Sequence, residues 1–346
     1  MKLNQLITVL LLFALPFSLC GQHRSPKKLV LGVNGHPLNQ KAYLNSTVSE
    51  QLMLVKSINC KYYRIDVQTD SNGNVLNHTR FLELTHFAKS QDISIVPMLY
   101  LTGFSFSLSK DAAYKMGLKL GVGFGEKYGR YVDYYELGNE MDVHKELARN
   151  SGSNYSDYQS PQINVLASFL QGLNYGLKKS DSTAQTIVNC GGWFHFVYLE
   201  LLKKLGVNYD IAGYHWYSYM DDYSKTVDID ILKILPQRLQ MPIWFTEVNY
   251  VTPGKSGAAF ERSRKDWVMK FIDNCSRASG IQGLFIYELL DEPDLSTSEL
   301  TERTFGVFYE NKNLRSLTVK VPQQKKSPKF VPKALGKALQ SLKTFP

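Results

Sequence analysis

Between residues 29 and 290, short apolar runs alternate with longer stretches of helical periodicity. The runs are Leu29–Val33, Tyr62–Val67, Ile93–Tyr100, Tyr131–Leu137, Thr186–Cys190, Ile211–His215, Pro242–Thr246 and Gly283–Tyr287. Each is short, rich in β-branched or aromatic residues and bounded by turn formers, so each reads as a strand. Helical patterns fall at about 47–58 and over 77–89, 110–128, 162–179, 196–205, 227–239 and 260–278. Eight strands with seven intervening helices predict a single-domain (β/α)8 barrel. Residues 141–160 are polar and read as a long loop. Phe305–Tyr309 reads as a short extra strand, 322–328 as a mobile loop, and Pro332–Lys343 as the helix that closes the ring.

The N-terminus adds an export signal. Lys2 precedes an apolar run from Leu6 to Leu15, then Pro16 and the small residues Ser18 and Cys20. Such a run is too short to span a bilayer, so residues 1–20 are read as a cleaved signal peptide and 21–346 as the catalytic domain. A secreted or periplasmic location follows. Leu19 makes a poor lipid-attachment box, so cleavage is favoured over an anchor at Cys20. No later stretch is apolar enough to span a membrane. Cys60, Cys190 and Cys275 are odd in number and widely spaced, which excludes a disulfide framework and points to buried thiols.

Charge changes the picture less than its total suggests. The chain carries net +9, but nine bases and no acid lie in 311–346, and without them and Lys2 residues 21–310 have net −1. A nucleic-acid partner is not expected from such a body. The basic segment reads as a solvated face, with docking on an acidic surface as the rival.

Chemistry belongs at the C-terminal ends of barrel strands. Arg64 falls after the second strand, Asn139 and Glu140 after the fourth, and Trp193 after the fifth. His215, Trp216 and Tyr217 follow the sixth, Glu247 the seventh, and Tyr287 the eighth; His36 follows the first. Alone, each has an ordinary explanation: solvated acids, a core histidine, rim packing. Arg64 would pair with a carboxylate such as Glu136 or Glu247. Convergence of many polar residues on one mouth is harder to explain by packing. Glu140 and His144 have metal-pair spacing, but the segment offers no further ligand, so neither metal nor cofactor is expected.

Gly138-Asn139-Glu140 after strand four and Trp244-Phe245-Thr246-Glu247 after strand seven resemble clan A of the glycoside hydrolases. Arg64, His215-Trp216-Tyr217 and the Tyr287–Pro293 stretch fit the same pattern. Within the clan the chain is similar to family 39 and to the small single-barrel glucanases. The resemblance implies a retaining β-glycosidase acting on an oligo- or polysaccharide. It makes Glu140 the general acid/base and Glu247 the nucleophile. The sugar-contacting set is then Asn139, Arg64, His215, Tyr217, Tyr287, Trp193, Trp216 and His36. Many clan members carry tryptophan at the end of strand eight, where this chain has Tyr287; Trp193 and Trp216 are the candidate replacements as sugar platforms. The competing reading is a barrel that binds carbohydrate without cleaving it.

Overall fold

Strands buried on both faces must be apolar throughout, which is why the sequence shows runs rather than alternation. In the computed structural model, which describes residues 29–158, 161–252, 257–295, 302–311 and 329–342, these runs form eight parallel strands. They are β1 (Val30–Gly35), β2 (Tyr62–Val67), β3 (Ser94–Leu99), β4 (Tyr134–Leu137), β5 (Gln185–Val188), β6 (Ile211–Tyr217), β7 (Ile243–Asn249) and β8 (Ile281–Ile286). Each pairs with the next, and β1 pairs with β8 (Val30 opposite Gly283, Val33 opposite Ile286), so the barrel is closed. The expected (β/α)8 barrel is therefore present. The signal segment and the 322–328 loop lie outside the described residues.

Side chains alternate in and out along each strand. The first inward layer is apolar: Val96, Ile187, Ile211, Trp244 and Phe285, with Val30, Tyr62 and Tyr134 packed against them. The rings of Tyr62, Tyr134, Trp244 and Phe285 meet across the lumen at 4.7–6.2 Å between centroids. Glycine makes the room: a Cβ on Gly283 would stand 2.7 Å from the Trp244 ring, and one on Gly32 would overlap Phe285. Further along the strands the inward positions turn polar, with Arg64, Glu136 and Asn189 two residues beyond this layer and Asn34 and His215 four beyond it, all buried.

Strand β7 breaks the alternation. Opposite β6 the register runs Tyr214 with Phe245, then His215 with Glu247; opposite β8 it runs Leu284 with Phe245, then Ile286 with Val248. Against both neighbours β7 carries one extra residue, a bulge at Thr246–Glu247. Bulges of this kind re-aim a side chain. Here strict alternation from inward Trp244 would send Glu247 outward, and the extra residue returns it to the lumen. The strand also runs on to Asn249, so Glu247 sits within it and not beyond its end. Arg64 likewise lies inside β2 rather than at its tip.

Three further differences from the sequence reading have local causes. The helix expected over 227–239 starts later, at Ile231–Leu239, because the Asp230 side chain caps it through Leu232 N–H, and an unexpected short helix, Met220–Thr226, precedes it. The polar segment 141–158 carries short 3-10 turns at Met141–Val143 and Tyr155–Tyr158. The last helix is shorter, Ala334–Gln340, and follows a strand, β10 (Phe330–Pro332), antiparallel to β9 (Phe308–Glu310). Cys60, Cys190 and Cys275 are buried free thiols, as expected.

Candidate active site

The polar layer is organised by Arg64, which is 2% exposed. Its Nε donates to Glu136 on β4, its Nη1 to Glu247 on β7 at 2.8 Å, and its Nη2 to Asn139 Oδ1 at 2.7 Å. Arg64 thus takes both carboxylates considered for it. Burial pulls its pKa down, but the charges of Glu136 and Glu247 outweigh this and hold it above its ordinary value.

Glu247 is nearly buried and accepts twice. Arg64 donates to Oε1, and the Tyr217 hydroxyl to Oε2 at 2.7 Å. Burial, followed by the charge of Glu247, keeps the Tyr217 phenol well above its usual pKa, so it stays a donor. Glu140 is placed differently. The chain leaves β4 through Gly138 (φ 82°) and reaches Glu140 in left-handed backbone (φ 46°), an unusual state for glutamate. The Asn189 side chain holds that turn: its Oδ1 accepts Glu140 N–H at 2.7 Å, while its amide donates to Gly138 O and Glu136 Oε1. Strained backbone of this sort concentrates at functional sites.

His215 joins the two acids. Its Nδ1 donates to Glu140 Oε1 at 2.6 Å and lies 3.5 Å from Glu247 Oε2. Burial lowers its pKa, but the Glu247 charge and the Glu140 contact leave it raised overall. Ligand atoms of Glu140, His215 and Glu247 all lie within 4.8 Å of one another, so a carboxylate oxygen of Glu140 stands that close to one of Glu247. The Glu140 side chain is 31% exposed at the mouth, whereas that of Glu247 is 8% exposed.

A second polar group flanks these acids on β1, β2, β3 and β8. His36 donates to Asp66 Oδ2 at 2.9 Å and has its other nitrogen 3.3 Å from the Tyr287 hydroxyl and 3.4 Å from Glu288. Tyr100 also donates to Asp66. Burial disfavours charge on His36, yet Asp66 and Glu288 push its pKa up to about 10. Asp66 is held below its ordinary value, where burial is outweighed by the His36 charge. Burial pushes Glu288 up strongly and Glu292 to about 7. His36, Glu288 and Glu292 also offer ligand atoms within 4.8 Å of one another, a second place where a cation would find donors.

The structure thus brings Arg64, Asn139, Glu140, His215, Tyr217, Glu247, Tyr287 and His36 to one mouth. Trp193 reaches its rim. Trp216 does not reach it: it is 1% exposed, faces out of the barrel and donates its indole N–H to Asp221 at 2.8 Å. The period-two rule explains this, since its neighbours His215 and Tyr217 point inward. The expectation of a platform at Trp216 is corrected accordingly. Sequence reasoning passed over Asp66 and Asn189, and it met Glu288 and Glu292 only within the Tyr287–Pro293 stretch, without a role. It missed Asp142 too, which accepts Gly191 N–H at 3.0 Å and His195 Nδ1–H at 2.5 Å and so clasps the segments after β4 and β5. An inward step of two along a strand, Ile187 to Asn189 or Arg64 to Asp66, would have found the first two.

No protein-family model matches this chain, and no curated protein does. Solved structures do match, over 91% of its length. One is a β-glucosidase from Thermotoga maritima in complex with deoxynojirimycin (TM-score 0.63, 12% identity, 98% of that chain). Another is a hyperthermophilic β-glucosidase mutant (TM-score 0.64, 10% identity, 99% of that chain). A third is the virulence factor SghA of Agrobacterium tumefaciens with its substrate analog salicin (TM-score 0.62, 12% identity, 96% of that chain). At these identities the likeness is one of fold, and the fold shared is the closed eight-stranded (β/α)8 barrel.

Proposed function

We propose that this chain is an exported glycoside hydrolase that cleaves a β-linked oligo- or polysaccharide with retention of configuration. One observation carries the reading: two carboxylates of unequal setting have oxygens within 4.8 Å of each other at the mouth of the barrel. Retaining enzymes hold their carboxyls about 5–5.5 Å apart, whereas inverting enzymes leave room for water at about 6.5–9.5 Å. The supporting facts are the motif resemblance to clan A and the fold shared with β-glucosidases. Export rests on the sequence of residues 1–20. Within the clan, family 39 is the placement proposed on motif resemblance, although the similar structures include a family 1 β-glucosidase from Thermotoga maritima.

In this reading Glu247 is the nucleophile. Arg64 and Tyr217 fix both of its oxygens, so the carboxylate is oriented before substrate arrives. It attacks the anomeric carbon and forms a glycosyl-enzyme ester. Glu140, more exposed and held by His215, gives its proton to the departing oxygen, then takes one from the water that hydrolyses the ester. Asn139, its carbonyl held by Arg64, turns its amide to the sugar 2-hydroxyl. His36 and Tyr287 hold the remaining hydroxyls of the reacting sugar.

Hydrolysis of aryl β-glycosides tests this, with the β-glucoside first in the panel. Glu247→Ala abolishes turnover, and azide restores part of it by forming a glycosyl azide of opposite anomeric form. Full activity in Glu247→Ala would sink the assignment.

A further inference from the structure

Beyond the two acids, an aromatic strip leaves the mouth on the side of β5 and β6. Tyr217, which donates to Glu247, stacks on Tyr219 with centroids 5.9 Å apart and planes at 6°. Tyr219 meets Trp193 at 5.5 Å, and Trp193 meets Tyr223 at 5.8 Å. Tyr219 is 43% and Tyr223 46% exposed, and Trp193 is half-buried. Aromatic side chains gathered on one rim make the kind of patch that marks a ligand-binding groove.

The backbone around Trp193 is built to hold that ring at the rim. Trp193 has φ 50°, a left-handed state that costs a bulky residue. Its carbonyl accepts the Tyr214 hydroxyl at 2.6 Å, and its N–H donates to Met220 Sδ at 3.4 Å. The preceding Gly192 (φ 91°) packs against His215 O so closely that a Cβ would overlap it. The segment after β5 is thereby tied to β6 and to the helix at Met220–Thr226, and the tryptophan is presented at a fixed height.

The two sides of the mouth differ in chemistry. β2 and the segments after β1, β3 and β8 present hydrogen-bonding groups: Asp66, His36, Tyr100 and Tyr287. A hydroxyl-rich sugar that must be oriented for attack belongs there. The loops after β5 and β6 adjoin β4, which carries the proton donor Glu140, and present ring faces. The leaving group departs on the proton donor's side. Pyranose rings offer apolar C–H faces that stack on aromatics and tolerate many hydroxyl patterns.

We infer that Trp193, Tyr219 and Tyr223 form a leaving-group platform for at least two sugar units, so that the group released is a glycan chain and not a small alcohol. This rests on the glycosidase reading above and specifies its substrate class.

The test compares β-linked tetrasaccharides with the matching β-glycosyl fluorides, whose leaving group has no ring to stack. Trp193→Ala and the double variant Tyr219→Ala/Tyr223→Ala each lower kcat/KM on the tetrasaccharide about tenfold and leave the fluoride within about twofold. Equal losses on both substrates, or none on either, overturn the platform. The exposed tyrosine pair keeps the test valid if Trp193→Ala does not fold. Calorimetric titration of Glu140→Gln with the tetrasaccharides, with and without the two tyrosines, separates the two readings. A wild type that cleaves neither substrate removes the glycosidase reading. Tyrosine-independent binding, or no binding at all, removes the platform.

Discussion

Replacing Arg64 by methionine keeps the aliphatic stem and removes the cation. The guanidinium donates to Glu136, Glu247 and Asn139, and both glutamates are buried. Breaking a buried ion pair by removing one partner costs about 3–5 kcal/mol, because the other charge is left uncompensated. Here two carboxylates are orphaned, so the upper part of that range is expected, a large share of the roughly 5–15 kcal/mol that holds a domain together. Urea unfolding followed by far-ultraviolet ellipticity at about pH 7 measures the loss. A deficit below about 1 kcal/mol would refute the claim that this cation holds the layer together.

Tyr217→Phe removes one hydroxyl and little else. Its 2.7 Å bond to a carboxylate is of the kind worth about 1.5–3 kcal/mol, so kcat is expected to fall about tenfold to a hundredfold in steady-state assays of an aryl β-glycoside. Glu292 has its folded pKa pushed from 4.5 to about 7, chiefly by burial, so its contribution to stability declines as pH rises across that window. Glu292→Gln removes this titration and flattens the fall in thermal midpoint between pH 4.5 and 7, by the equivalent of about 2 kcal/mol; an unchanged slope would assign it to Glu288 alone.

The barrel was legible because its strands are buried on both faces and its helices are long and periodic. Position after a strand was enough to collect Arg64, Glu140, His215 and Glu247 on one mouth. Two features escaped for opposite reasons. The bulge in β7 is a fact of register between three strands, and no property of Phe245-Thr246-Glu247 announces it. Trp216 was misassigned although the rule that places it, alternation from His215, was available in the sequence. Asn189 and Asp142 act through backbone N–H groups of distant segments, so their roles appear only once those segments are adjacent. The start of the helix at 231–239 did have a signal, the capping Asp230, which the reading of a helix from 227 overrode.

Arg64 bridges partners 72 and 183 residues further along the chain. The first lies in the same half of the barrel, but the second becomes reachable only when β7 docks, just before β8 seals against β1. Until then the chain carries a buried cation with one of its two acids missing. Formation of the site and completion of the fold are therefore one event. Any half-barrel that collects on the way to the native state lacks the proposed nucleophile, so recovered turnover would report ring closure rather than collapse.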